Sequence, residues 1–439
     1  MRAGVSEGII TPSYPTLMAG YPLPKDRFHT GVHDDLAIRC FYFENKNVEL
    51  GIISFDICEI SKKRVGYIRE AIEKACNIPQ NNIAVCCTHT HSGPVTTNPP
   101  HAQWTEDREL YPQYLDYLVE IAAAKMAEAK EKSFPAEAAI GKGICGSEQN
   151  VGGNRHEKNG PADPEVCCLA IYENKSMRGA LINYALHPTF LHADNTELSA
   201  DYPCYIYQHL RNRYPGVVVG FTMGATGNQS SRFFRSGQNF DEAKRVGMAI
   251  STEAMKVMEQ SPKLKDPALF AEVYDFMPPM FENLPLDEAK AAADLAKRNY
   301  EKAKADGRPY PFVRGLECTL IGANHVLEIA KGGDAAKRII QSAVPFEVQI
   351  MGIGDARYVF YSCEVFVEYG LLLKQKSPYP LTFLSTVSNG TSCGYVCTPK
   401  AHQEGGYEAL WTRYSPETGE QLVDFTLSKL KRRKHNEQF

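Results

Sequence analysis

No apolar run in this 439-residue chain approaches the roughly 20 residues that a membrane-spanning helix needs. The opening MRAGVSEGIITPSYP lacks the charged segment followed by an apolar one that marks a cleaved leader, so the chain is read as soluble and cytoplasmic. Basic excess is missing too: 48 Lys and Arg stand against 52 Asp and Glu, for a formal net charge of -4. Such a balance gives no general attraction to polyanions, which argues against nucleic acid or an acidic membrane surface as partner. The thirteen cysteines are odd in number and form no CxxC pair. Several sit inside apolar runs (Cys58, Cys86, Cys87, Cys167, Cys168, Cys363), where they read as small buried hydrophobes of a reducing compartment and not as disulfides or a cysteine metal site. Internal repeats are absent, and the charged end KRRKHNEQF reads as a fraying helix end.

Apolar, β-branched runs at 50–56, 83–87, 138–145, 167–172, 180–186, 217–223, 346–354, 357–363 and 381–388 read as strands. Helical patterns fall between them, near 61–77, 110–133, 202–214, 239–260, 364–376 and 416–432. Continuous apolar strands alternating with helices predict an α/β fold: a mixed β-sheet covered by helices on both faces, with GIGDARY as a hairpin turn. Residues 280–343, rich in Ala, Lys and Glu, are expected to form a helical excursion from a single domain spanning 1–439, either capping a pocket or packing as a helical hairpin.

Chemistry gathers where strands end. The run IAVCC stops at Thr-His-Thr-His-Ser-Gly-Pro, placing His89 and His91 one residue apart; ALINYAL ends at His187, IISFDIC contains Asp56, and RYVFYSC ends at Glu364. Imidazole suits zinc and other borderline metals, and catalytic zinc sites use about three protein ligands. In open α/β sheets the ligand crevice lies beyond the carboxyl ends of the strands, so these residues are candidates for one site. Each also has a plainer reading, a hydrogen-bonded histidine in a loop or a glutamate opposing a helix dipole. The stretch GATGNQSSR, 224–232, contains neither GxxxxGK[ST] nor GxSxG. Its small residues let backbone N–H groups approach a ligand, with Ser230 as an exposed hydroxyl, or simply make a tight turn.

Read in order, GVSEGIITP, MAGY, TGVHDDLAIR, ISFDI, THTHSGP, Asn154-Arg155, NYALH, GNQSS, Glu364 and GYVCTP…GGYEALWTRYSPETG resemble the catalytic domain of the neutral, non-lysosomal ceramidases over nearly the whole chain. The resemblance implies one zinc ion held by His89, His187, Glu364 and Tyr395. It places His91, Arg155 and Tyr407 in the substrate pocket, with Tyr414 as a weaker match and Ser230 in a positioning role. The chain departs from that family in carrying GNQSSR for GDVSPN and SCEVFV for PGEFTT, and the C-terminal β-sandwich of that family is not expected here.

A metal with an open position lowers the pKa of its water to about 7, which suits attack on an amide or ester carbonyl. The expected activity is therefore zinc-dependent hydrolysis of an amide, ester or lactone in a small soluble substrate. His91 would transfer the proton to the leaving group, Asp56 would orient a ligand histidine from behind, and Arg155 would anchor a polar or anionic group. Tyr395 is open to two readings, a metal ligand or a mobile acid. The competing functions are a metal-dependent lyase or isomerase acting on a sugar-like acid, and a binding scaffold that has lost activity.

Overall fold

The computed structural model describes residues 1–21, 26–97, 109–390 and 394–437. Its strands form three principal sheets. The first orders Ile83–Cys87, Val48–Phe55, Ala37–Asn45, Arg2–Ile9 and Phe134–Pro135; the second orders Val218–Met223, Ser176–Tyr184, Glu165–Glu173, Glu137–Ile144 and Lys263–Leu264. The third has four strands: Leu269–Phe276, Phe346–Ile353, Ala356–Tyr361 and Leu381–Ser385.

Each sheet contains one parallel pair and is otherwise antiparallel. A parallel neighbour requires a crossover, and in each sheet the crossover contains a helix. Lys62–Cys76 links Val48–Phe55 to Ile83–Cys87, Tyr202–Arg213 links Ser176–Tyr184 to Val218–Met223, and Val367–Lys376 links Ala356–Tyr361 to Leu381–Ser385. Local chemistry sets their ends. Ser61 caps the first by accepting the Arg64 N–H at 3.3 Å, and Asn77 stops it in the left-handed conformation.

The period-2 alternation of the strands explains why their sequences are apolar almost throughout. Val348, Ile350, Val359 and Tyr361 face the helices Val367–Lys376 and Thr418–Asn436, whereas Met351, Ile353, Tyr358 and Phe360 face Phe41, Ile52, Leu169 and Leu181 of the other two sheets. The first sheet likewise buries Ile53 and Phe55 under Ile68 and Leu118, and the second buries Ala180 and Phe221 under Ile206 and Ile250. The α/β class and mixed sheets hold, and helices cover the outer faces; the strands are divided among three sheets that share an inner core. Glycine makes the approach of two sheets possible, since a Cβ on Gly220 would lie 2.7 Å from the ring of Phe41.

The strands Arg2–Ile9, Ala37–Asn45 and Leu269–Phe276 were not anticipated. Glycines and charges interrupt all three: Gly4 and Gly8 in the first, Arg39 in the second, Glu272 and Asp275 in the third. The hairpin at Gly354-Asp355 is present, pairing Ile353 with Ala356. Residues 286–342 fold as two helices, Leu286–Ala305 and Tyr310–Ser342, in contact through Ala293, Ala296 and Ala323, with Gly333 breaking the second.

Candidate metal centre and its pocket

The three βαβ units point their parallel strands toward one cavity of about 960 Å³. Just past Ile83–Cys87 the chain turns so sharply that His89 takes φ 63°, its N–H donating to Ile57 O at 3.0 Å. His187 follows Ser176–Tyr184, and Glu364 follows Ala356–Tyr361. These three residues converge, with ligand atoms all within 4.8 Å of one another.

The orientation of the two imidazoles is set from behind. His89 Nδ1 donates to the Cys58 carbonyl at 2.8 Å, and His187 Nδ1 donates to the Thr226 carbonyl at 2.8 Å. A neutral imidazole whose Nδ1 carries the proton offers a lone pair at Nε2. Those Nε2 atoms lie 3.6 Å (His89) and 3.1 Å (His187) from Glu364 Oε2. His187 Nε2 and Glu364 Oε2 are both buried without a hydrogen-bond partner among the described residues. Two acceptors in such contact repel, and a cation between them removes the conflict. The spacings also fit a tetrahedral ion with ligand bonds near 2 Å, whose ligand–ligand edges are about 3.3 Å. Burial holds His89 neutral against the pull of Glu364, while Glu364 stays ionised because His89, His187 and Arg155 outweigh its own burial.

Cys58, His89 and His91 form a second grouping. It is the poorer cation site: burial holds the Cys58 thiol well above its ordinary pKa, and its sulfur lies 3.6 Å from His89 Nδ1, the nitrogen already committed to a carbonyl.

His91 lines the cavity with its ring 5.0 Å from that of His89 and 5.9 Å from that of His187. Its Nδ1 is buried, which leaves Nε2 as the nitrogen offered to the pocket. Gly20, at φ 89°, packs on this ring so closely that a Cβ there would stand 2.2 Å from His91 Cγ. Tyr395 pairs in register with Glu364 across two short parallel strands, and burial and Glu364 keep its phenol protonated. Arg155 lies 5.6 Å from the Tyr395 ring and is anchored by Glu408, which accepts from Arg155 Nε at 2.6 Å and from His156 Nε2 at 3.0 Å. Arg155 and His156 hold the Glu408 carboxyl far below its usual range in spite of burial. Tyr407 and Ser230 line the same cavity, with Tyr407 5.3 Å from Trp411, ring to ring.

Two expectations are corrected. Asp56 does not touch a ligand histidine: its carboxylate accepts from Arg39 Nη1 at 2.6 Å, Tyr207 OH at 2.9 Å and Ala37 N at 3.1 Å, forming a closed, fully buried network. The backbone carbonyls of Cys58 and Thr226 take the orienting part instead. Tyr414 lies outside the cavity; its bridge with Met280 turns the ring into the core of the third sheet, edge-on to Phe346 at 5.9 Å. Glu408 was missed although it directly follows Tyr407, because a lone glutamate in a helical stretch carries no signal of the arginine it will meet. The helix Tyr310–Ser342 also supplies Arg314, Cys318 and His325 to the cavity lining, and His325 stacks on Trp411 at 3.8 Å. Among the described residues no helix is long and apolar enough to cross a membrane.

No family model matches the chain, and no curated protein matches it. Solved structures do. The crystal structure of neutral ceramidase from Pseudomonas aeruginosa superposes with a TM-score of 0.74 at 19% identity, covering 98% of this chain and 74% of that one. A ceramidase complexed with C2 gives 0.72 at 17% identity, covering 97% and 74%. The chain thus shares its fold with about three quarters of the length of these ceramidase chains, as its ordered motifs suggested.

Proposed function

We propose that this protein is a metal-dependent hydrolase that cleaves an amide, ester or lactone bond in a small soluble substrate, with one zinc ion per chain. The observation that supports the metal most directly is the contact of His187 Nε2 with Glu364 Oε2, two buried acceptors that only a cation or a proton reconciles. His89, His187 and Glu364 would hold the ion and Tyr395 would complete the set, two imidazoles with oxygen donors being a donor set that zinc accepts. Bound there, the ion would polarise a carbonyl and acidify water to a pKa of about 7.

The remaining steps belong to the chain's own side chains. His91, kept neutral by burial and by the neighbouring histidines and arginines, accepts a proton at Nε2 and passes it to the leaving nitrogen or oxygen. In the other reading of Tyr395, as a protonated phenol and not a ligand, it donates a hydrogen bond toward the oxygen on which negative charge develops. Arg155, locked by Glu408, adds a fixed positive charge beside that oxygen. The helices of 280–343 cap the pocket and restrict which acyl or amine parts enter. The cytoplasm is the compartment assigned, supported by twelve unpaired cysteines among the described residues.

Elemental analysis of the purified protein, beside His187→Ala, tests the reading. About one zinc per wild-type chain and its loss in the variant are expected, with hydrolysis of at least one amide, ester or lactone in a small panel. A wild type that takes up no metal when zinc is supplied overturns it.

A further inference from the structure

A basic run near residue 430 takes no part in the metal centre. Within the helix Thr418–Asn436 it sets Lys429, Arg432, Arg433 and Asn436 at spacings of three and four residues, which is one stripe along the helix. The stripe forms one wall of a smaller groove of about 340 Å³. The facing wall is Ala271, Glu272, Val273 and Tyr274 of the strand Leu269–Phe276, with Asn81 beside them. The groove shares no lining residue with the metal cavity.

The strand wall is the free edge of a sheet. Leu269–Phe276 is the outermost strand of the third sheet, and its ladder partner is Phe346–Ile353. Register decides which backbone groups are left over. The Gly354 N–H donates to Ala268 O at 2.9 Å, so these two residues form a hydrogen-bonded pair. Antiparallel alternation then turns the backbone groups of Phe270, Glu272, Tyr274 and Phe276 toward Phe346–Ile353. The N–H and C=O groups of Ala271 and Val273 point outward from the sheet, and among the described residues none of the four has a hydrogen-bond partner.

Charge is unequal between the two walls. Among the described residues Glu272 is the one acid lining the groove, and it is engaged: it accepts from Tyr274 OH at 2.6 Å and lies 3.4 Å from Arg433 Nη1. Arg433 Nε also lies 3.1 Å from Glu437. Lys429 and Arg432, in contrast, have no carboxylate within ion-pair distance among the described residues. Lys429 rests over the rings of Tyr274 and Phe425, at 5.0 and 4.6 Å, and Arg432 is exposed.

We propose that the edge of Leu269–Phe276 and the stripe of Lys429, Arg432 and Asn436 bind an extended acidic peptide segment of a partner protein, which adds to the third sheet as a further strand. Main-chain hydrogen bonds to Ala271 and Val273 hold the segment, the mode in which a peptide joins an exposed edge. Side chains of an added strand alternate between two faces, with same-face neighbours about 7 Å apart, so carboxylates at every second position meet Lys429 and Arg432. Cations beside an edge discourage pairing with neutral or basic strands and leave acidic ones favoured. They also select against a second copy of this chain, whose own stripe would be brought alongside the first. The inference does not rest on the hydrolase reading.

Fluorescence anisotropy on the full chain with the labelled peptide acetyl-Glu-Val-Glu-Val-Glu-Val-amide tests this. Saturable binding is expected, weakening as salt is raised. Lys429→Glu with Arg432→Glu should weaken it by about tenfold or more, the scale of a charge-assisted hydrogen bond. Val273→Pro should abolish it, because it removes an outward N–H that the sheet does not use, at a position where an edge strand accepts proline. Melting temperatures establish that both variants fold. The same peptide N-methylated at every residue keeps its charge and loses its donors, so it tests strand addition without altering the protein and should not bind. Absence of binding by the unmethylated peptide overturns the proposal. Equal binding of the N-methylated form does so too, since the groove would then attract polyanions in general. A wild type that self-associates in sedimentation, is returned to monomer by Val273→Pro and binds no peptide assigns the edge to a second copy and likewise overturns it.

Discussion

Single side chains carry unequal consequences in this pocket. Glu408 is one of the most constrained, since Arg155 and His156 both depend on a carboxylate that is almost fully buried. Replacing it with Ala leaves Arg155 without its counter-charge, and breaking a buried pair in this way costs about 3–5 kcal/mol. Glu408→Ala should therefore lower stability by that order in denaturant titration and impair turnover, while zinc content stays near that of the wild type. Gly20→Ala acts differently. The added methyl cannot coexist with the His91 ring, and φ 89° is strained for alanine. The expected result is a loss of turnover of about 100-fold or more, the typical worth of a positioned acid–base group, with bound metal unchanged. Asp201 offers a pH signature away from the metal. Burial pushes its carboxyl up to about 7, although it accepts N–H bonds from Leu191 and Tyr202. An acid whose pKa is higher in the folded state binds its proton more tightly there, so its contribution to stability falls as pH rises from roughly 4, the unfolded value, through about 7. The wild-type melting temperature minus that of Asp201→Asn should decrease across this window and level off above it; a flat difference contradicts the assignment.

At the level of elements, the helix Tyr310–Ser342 packs on the segment Tyr407–Trp411, and both line the cavity. Gly322 lets the two approach, because a Cβ there would lie 2.7 Å from Leu410 Cβ. Gly322→Val should lift the helix from Leu410 and disturb the stack of His325 on Trp411, at a cost of about 1–3 kcal/mol for overpacking. Since this helix contributes no metal ligand, KM is expected to rise by about tenfold with metal content constant, converting part of that cost into lost binding. A fall in zinc occupancy instead would mean that the helix supports the centre itself. Most elements were legible from pattern alone: the helices over 62–76, 202–213 and 240–260 and the strands over 83–87, 165–173 and 346–353 lie within a few residues of their expected positions. Their apolar faces repeat at 3.6 or fill both sides of a strand. The strand Arg2–Ile9 escaped notice because its alternation is diluted by glycines that accommodate a neighbouring helix; a Cβ on Gly4 would collide with the Ala129 carbonyl at 1.8 Å.

For the molecule as a whole, the candidate metal joins three crossover units drawn from three sheets, so its binding energy is also folding energy. Stripping the metal with a chelator should lower the melting temperature by several degrees and zinc should restore it, while His187→Ala should show no such response. Occupancy at 1,000 times Kd stabilises by about 4 kcal/mol, well within calorimetric detection. A wild type whose melting is indifferent to chelation would mean that the three units are held by their shared core alone.

The residue types were determined locally. Two histidines spaced by one residue, a third histidine after another apolar run, and a glutamate after a third all read as strand-end chemistry, because the strands that deliver them are apolar enough to recognise. Which nitrogen faces the pocket was decided only in three dimensions, by carbonyls of Cys58 and Thr226 that no spacing rule connects to His89 and His187. The same holds for Asp56, drawn into a buried network by Arg39 and Tyr207, and for Tyr414, turned into the core. Periodicity is a property of the chain and survives in the sequence, whereas the partner of a charged or polar side chain depends on contacts between residues from 17 to more than 250 positions apart, made as the chain folds.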